Sequence, residues 1–217
     1  MPETSTATIF FGGTFDPPHL GHLSVIRGLR QQLGLPVLVV PTGSPGHRPS
    51  PQARPCQRAE MMELAVQALD DPLVTVSRHE VEQSQPSFTV DTVAWFLIQR
   101  PELAVVLAVG ADVAAGLPGW KGVSRLLEQV RLLVFERPGA GDPGHSVLAE
   151  LALHLLPLVG AQVVSIAAPT VDATGIRERI AQGMDCRDLL PGPVDWYIQS
   201  HGLYGASPKP ARSARAG

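Results

Sequence analysis

Six apolar runs of strand length, each followed by a stretch of helical period, set the strongest limit on how this chain folds. The runs are "TIFF" (8–11), "VLVV" (37–40), "LVTVS" (73–77), "LAVVLAVG" (103–110), "VRLLVF" (130–135) and "QVVSIA" (162–167). Short, nearly unbroken apolar strands belong in a sheet covered on both faces, and their alternation with helices favours parallel crossovers. The pattern predicts an α/β fold: a doubly wound, mostly parallel sheet with helices on both faces. Such sheets bind ligands beyond the carboxyl ends of their strands, near the point where strand order reverses.

The expected helices run from about Pro18 to Leu33, with Gly34 as the stop, and then through "QRAEMMELAVQAL", "VDTVAWFLIQR", "ATGIRERIAQG" and "PVDWYIQSHG". A Pro-dense loop, "PTGSPGHRPSPQARP", precedes the second helix and has few apolar residues to hold it. A length of 217 residues suits one α/β domain, read here as 1–204. The small, polar, Pro-containing end reads as a disordered tail, 205–217.

The formal charge of −3 and a pI of about 6.1 provide no global basic field for a duplex nucleic acid. Cys56 and Cys186 lie far apart and neither sits in a C-x-x-C spacing, so neither a zinc site nor a disulfide framework is indicated. The opening "MPETSTATIFFGG" has no positive n-region, and no window approaches a membrane span. A cytoplasmic protein with no nucleic-acid or membrane partner is the expectation. A homo-oligomer is left open.

Chemistry concentrates in "IFFGGTFDPPHLGH" (9–22). Gly12 and Gly13 end the first strand without Cβ atoms, which lets a bulky ligand approach the backbone. Asp16 suits an N-cap, and Pro17 and Pro18 suit a first helical turn. His19 and His22 then share one face, three residues apart, where free N–H groups and the helix dipole favour an anion. The two histidines could instead be half of a metal site. The arrangement suits phosphate.

"GGTFDPPHLGH" resembles the nucleotidyltransferase superfamily signature, an H-x-G-H after a G-[GS]-[TS]-F-[DN]-P turn. Further pieces, in order, resemble the bacterial nicotinate-nucleotide adenylyltransferases. They are "SPGHRP" (44–49), "PSFTVDT" (86–92), "GADVAAGLPGW" (110–120), "FERPG" (135–139), "DATGIRERI" (172–180) and "LLPGPVDWYIQSHGLY" (189–204). The resemblance implies a Rossmann-like domain that transfers AMP from ATP to nicotinate mononucleotide, releasing pyrophosphate in NAD biosynthesis. It implies ATP contacts at Gly12, Gly13, Thr14 and Phe15, at His19, Gly21 and His22, and at Thr174, Ile176 and Arg177. Among these, His19, His22 and Arg177 carry catalysis. His47, Arg48, Phe88, Thr89, Gly110, Asp112, Trp120 and Arg137 are implied for the acceptor. Mg²⁺ is expected to ride on the ATP phosphates, with no protein ligand of its own.

The residues themselves suit these roles. Trp120 offers a flat face for the pyridine ring, with core burial as its alternative. Backbone N–H groups of Phe88 and Thr89 can receive a carboxylate. Asp112 can accept from ribose hydroxyls or cap a helix. Thr174 and Arg177, at i and i+3, can grip the triphosphate opposite the histidines. His47 and Arg48 are expected to approach phosphate or acceptor from the Pro-rich loop. The chain departs from the family at Asp172, usually Ser; at Phe88, usually Tyr; and at Gly46, usually Pro. The rival functions are a sister adenylyl- or cytidylyltransferase acting on phosphopantetheine or glycerol phosphate, and a nucleotide-binding protein without turnover.

Overall fold

The computed structural model describes residues 7–44, 51–136 and 162–207. Their strands are β1 (Ala7–Gly13), β2 (Val37–Pro41), β3 (Val74–Val76), β4 (Ala104–Gly110), β5 (Val130–Glu136) and β6 (Gln162–Ser165). They form one sheet in the order β3-β2-β1-β4-β5-β6, every pairing parallel. The order reverses between β1 and β4, where Phe11 lies beside Ala108. The carboxyl ends of these two central strands, Gly13 and Gly110, therefore flank the crevice that such topology opens. The sequence-based expectation of a doubly wound Rossmann-like sheet holds.

The helices are α1 (Leu20–Leu33), α2 (Pro55–Gln67), α3 (Thr89–Gln99), α4 (Ala111–Ala114), α5 (Val123–Gln129), α6 (Ala173–Ala181) and α7 (Gly192–His201). Side-chain alternation along β1 sorts them into two layers. Ile9 and Phe11 point into one cluster, with Ile26 and Leu29 of α1, Met61 and Met62 of α2, Ile176 of α6 and Ile198 of α7. Phe10 points into the other, with Val90 and Val93 of α3, Ala114 of α4 and Leu126 of α5. Near-continuous apolar strands are what a sheet packed on both faces requires.

Two expectations about the first junction are corrected. Helix α1 begins at Leu20, not Pro18, and its N-cap is His19 in an extended conformation (φ −142°, ψ 172°). Consecutive prolines explain both shifts. Pro18 disfavours helical backbone at Pro17, and neither proline has an N–H for Asp16 to cap. Asp16 instead turns into the protein. The expected tail, 205–217, falls mainly outside the described residues, although Gly205 closes a short 3₁₀ turn and Ala206 is buried.

Candidate active site

The turn after β1 is built around two glycines that its neighbours require. A Cβ on Gly13 would lie 2.8 Å from the Phe15 ring, and one on Gly21 would lie 3.0 Å from the His19 ring. Gly12 has no such crowding, its nearest neighbour being the Val40 carbonyl oxygen at 3.9 Å. Phe15 is buried with φ of 53°, a left-handed conformation that is strained for an aromatic residue. Its ring meets His22 edge-on, with centroids 4.9 Å apart and planes at 80°.

His19 and His22 stack at 3.7 Å between ring centroids. The His19 backbone N–H donates to His22 Nδ1 at 3.2 Å. An accepting Nδ1 leaves the proton of a neutral His22 on Nε2, where it can be donated outward. The first-turn N–H groups are less available than the sequence suggested: Leu20 donates to the Leu189 carbonyl and His22 to that of His19. The anion-binding capacity here therefore rests more on the imidazoles.

Helix α6 is tied to this turn across the chain. Arg177 Nη1 donates to the Asp16 carbonyl at 2.8 Å, and Nη2 donates to Thr174 Oγ1 at 3.1 Å. The structure thus brings Thr174 and Arg177 beside the loop that carries the histidines. Ile176, between them, is a core residue at 1% exposure, so its side chain anchors the helix. Asp172 is the N-cap: its exposed carboxylate accepts from Gly175 N–H at 2.8 Å.

Asp16, expected at a helix end, is instead a buried hub. Oδ2 accepts from Gln52 N–H at 2.8 Å, and Oδ1 accepts from Ala53 N–H at 3.0 Å and from Tyr204 Oη at 2.9 Å. Burial, together with this carboxylate, pushes the Tyr204 phenol well above its ordinary pKa, so it remains a donor. Arg58, which sequence reasoning passed over, is fully buried. It donates to the carbonyls of Thr14 at 2.5 Å, Thr42 at 2.6 Å and Gly43 at 2.8 Å. Burial lowers its pKa from the ordinary guanidinium value, opposed by attraction to Asp16. A charge amid the helical pattern of "QRAEMMELA" was the available signal, since such a residue needs paired acceptors.

On the other side of the switch point, Phe88 is the extended N-cap of α3 and Thr89 its first residue. Lys121 Nζ stands 3.9 Å above the Phe88 ring and 3.6 Å from Asp91. Trp120 follows a 3₁₀ turn, Leu117–Gly119, and is half-buried against the same core layer. Asp112 sits inside the first turn of α4, whose N-cap is Gly110; it is not itself the cap. Its carboxylate folds back so closely that a Cβ on Gly110 would lie 2.5 Å from Oδ1. His47, Arg48 and Arg137 lie outside the described residues.

A histidine pair faced by Arg and Thr, at the carboxyl edge of a parallel sheet, marks an α/β protein built to hold a nucleotide's phosphates. Residues 10–179 match the cytidylyltransferase-like family. Probable nicotinate-nucleotide adenylyltransferases of Shigella boydii and Escherichia coli are each 36% identical over 207 residues, covering 89% of this chain and 96% of theirs. The chain belongs to the cytidylyltransferase-like family and, within it, to the nicotinate-nucleotide adenylyltransferases. Its fold is that of Plasmodium falciparum nicotinic acid mononucleotide adenylyltransferase. The complex of that protein with NaAD has a TM-score of 0.71 at 15% identity, covering 94% of this chain and 100% of the other. The complex with APC, at the same identity and coverage, has a TM-score of 0.66.

Proposed function

We propose that this chain, as one domain over residues 1–204, transfers AMP from ATP to nicotinate mononucleotide, giving nicotinate adenine dinucleotide and pyrophosphate. The observation that carries the reading is the cross-tie from Arg177 to the Asp16 carbonyl, which sets two donor groups from opposite ends of the chain around one space. The end-to-end likeness to nicotinate-nucleotide adenylyltransferases supplies the acceptor.

The acceptor phosphate is ionised at neutral pH, so its attack on the α-phosphorus needs no general base. Positioning and charge stabilisation carry the step, as in other phosphoryl-group transfers. His22 donates from Nε2 to a phosphate oxygen, His19 stacks behind it, and Arg177 and Thr174 hold the phosphates from α6. Phe88 and Thr89 receive the nicotinate carboxylate, Trp120 lies along the ring, and Asp112 accepts from the ribose. His47, Arg48 and Arg137, outside the described residues, are assigned to the acceptor by the family resemblance alone.

Groups of three His, Cys, Asp or Glu side chains able to hold a metal ion do not occur among the described residues. Both Asp16 carboxylate oxygens are engaged by protein donors. The side chains assigned to the triphosphate are donors, which suits phosphate oxygens and leaves a cation to those same oxygens. Mg²⁺ carried there would supply neutralisation of the leaving pyrophosphate. No helix among the described residues is long and apolar enough to cross a membrane, and both cysteines are free. Free cysteines suit a reducing compartment, and a cytoplasmic location is part of this proposal.

Pyrophosphate release, measured with ATP and either nicotinate mononucleotide, nicotinamide mononucleotide or phosphopantetheine, tests the reading. Turnover with the first, well above the other two, is expected. Equal kcat/KM for the acid and amide nucleotides would defeat the assignment of residues 88 and 89, and preference for phosphopantetheine would defeat the reaction.

A further inference from the structure

Glu80 lies in the segment between β3 and α3, where its carboxylate is buried at 6% exposure. Oε2 accepts from Ser87 Oγ at 2.8 Å and Oε1 accepts from Thr92 Oγ1 at 2.7 Å. Ser87 immediately precedes the α3 N-cap, and Thr92 closes the first turn, donating its backbone N–H to the Phe88 carbonyl at 3.1 Å. One carboxylate therefore bridges the two ends of the turn that contains Phe88 and Thr89. A buried carboxylate is costly unless its oxygens are satisfied, so this clasp is a constrained device and not incidental surface polarity.

The clasp is itself anchored. A Cβ on Gly43 would fall on the Glu80 carbonyl, so the two backbones touch only because residue 43 is glycine. The Gly43 carbonyl in turn accepts from the buried Arg58, which also holds Thr14 in the turn after β1. Glu80 thus stands at a fixed place relative to both the β2 end and the histidine-bearing loop.

We propose that Glu80 is a positioning residue for acceptor recognition: it clasps Ser87 and Thr92 so that the Phe88 and Thr89 N–H groups are presented, already aimed, to the acceptor's carboxylate. The proposal rests on the nicotinate reading above. Glu80 does not touch the substrate. It removes the ordering penalty that a loose N-terminal turn would otherwise take from binding. Both of its oxygens are engaged by the two hydroxyls.

The test is steady-state kinetics of wild type, Glu80→Gln and Glu80→Ala with ATP and each of the acid and amide mononucleotides. Glutamine can accept from one hydroxyl and donate to the other, so Glu80→Gln should behave nearly as wild type. Glu80→Ala should raise KM for nicotinate mononucleotide about tenfold to a hundredfold, as expected for loss of both hydrogen bonds of the clasp at once. Its kcat at saturation and KM for ATP should stay within about threefold of wild type, and the acid-over-amide preference should shrink. A Glu80→Ala enzyme with unchanged KM and preference, or one whose ATP and acceptor KM rise alike, overturns the role. Should Glu80→Ala fail to fold, Ser87→Ala removes one leg of the clasp and is expected to shift acceptor KM and preference in the same direction; no shift overturns the proposal. A wild type that transfers nothing to nicotinate mononucleotide sinks the reaction assignment itself, and the role of Glu80 with it.

Discussion

Arg177 donates to the backbone carbonyl of Asp16 across 161 residues of chain. A carbonyl acceptor fixes the guanidinium without neutralising it, whereas a close carboxylate would spend its charge. The Asp16 carboxylate stands farther off, 4.0 Å from Nη1, with its oxygens given to other donors. The result is a guanidinium aimed by a neutral acceptor, as the proposed grip on phosphate requires.

Replacing Arg177 by Lys keeps the charge but loses the two-pronged hold on Asp16 and Thr174. Turnover should fall by roughly 10²–10³, the effect typical of a lost transition-state donor, while KM for the acceptor moves little. Comparison of kcat and both KM values checks it; a lysine variant with wild-type kcat would show that the fork geometry is irrelevant.

His22→Ala should likewise cut kcat by roughly 10²–10³, more than it weakens acceptor binding. His19→Ala should act more on ATP, because the ring that supports His22 from behind is lost. Single-turnover measurements at saturating ATP separate the two, and near-normal turnover in His22→Ala removes that residue from the mechanism.

Asp172→Ser should leave KM for ATP unchanged at low and high Mg²⁺, because the exposed carboxylate is spent on Gly175 N–H and serine caps equally well. Asp172→Ala should destabilise the fold by roughly 0.5–2 kcal/mol in urea unfolding. A lower KM for ATP in the serine variant would mean that the acid does reach the phosphates.

Arg58→Met should destabilise by about 3–5 kcal/mol, since it removes a fully buried guanidinium from the backbone carbonyls that satisfy it. Three carbonyls, those of Thr14, Thr42 and Gly43, lose their donor at once. Chemical denaturation provides the measurement, and a loss below about 1 kcal/mol would show that the carbonyls find other partners.

The chain has two tyrosines, and burial raises the pKa of both Tyr197 and Tyr204, with Glu60 and Asp16 as their respective acceptors. A phenol whose folded pKa exceeds the unfolded value of about 10 stabilises the fold fully below that pH and loses its contribution as pH rises above it. Phenolate absorbance should therefore appear together with loss of circular dichroism, not before it. Phenolate forming in a still-folded protein contradicts the burial argument.

What could be read from the sequence was local or periodic. The apolar period revealed the strands and both layers, and the glycine-histidine spacing singled out the β1 turn. Asp172 was legible as a cap because capping reaches only three residues ahead. Asp16 was misread for the same reason: its true partners, Gln52, Ala53 and Tyr204, are 36, 37 and 188 residues away, and local rules see only the nearby helix. Arg58 offered only a charge within a helical pattern, and Glu80 offered no signal, because a buried charge is defined by acceptors or donors that only the folded chain assembles. The start of α1 was missed by two residues where consecutive prolines outweighed the usual preference for proline in a first turn.

The contact between Asp16 and Tyr204 also bears on how the protein is born. The two residues are separated by 188 positions, which a ribosome adding about 5–20 residues per second takes roughly 10–40 s to bridge. Throughout that interval the Asp16 carboxylate has been made but its phenol donor has not, and Arg177 arrives only near the close. A nascent chain can lay down β1, β2 and their first helices early, yet its nucleotide grip matures only as the last helices emerge. Partial products of translation are therefore poor traps for ATP.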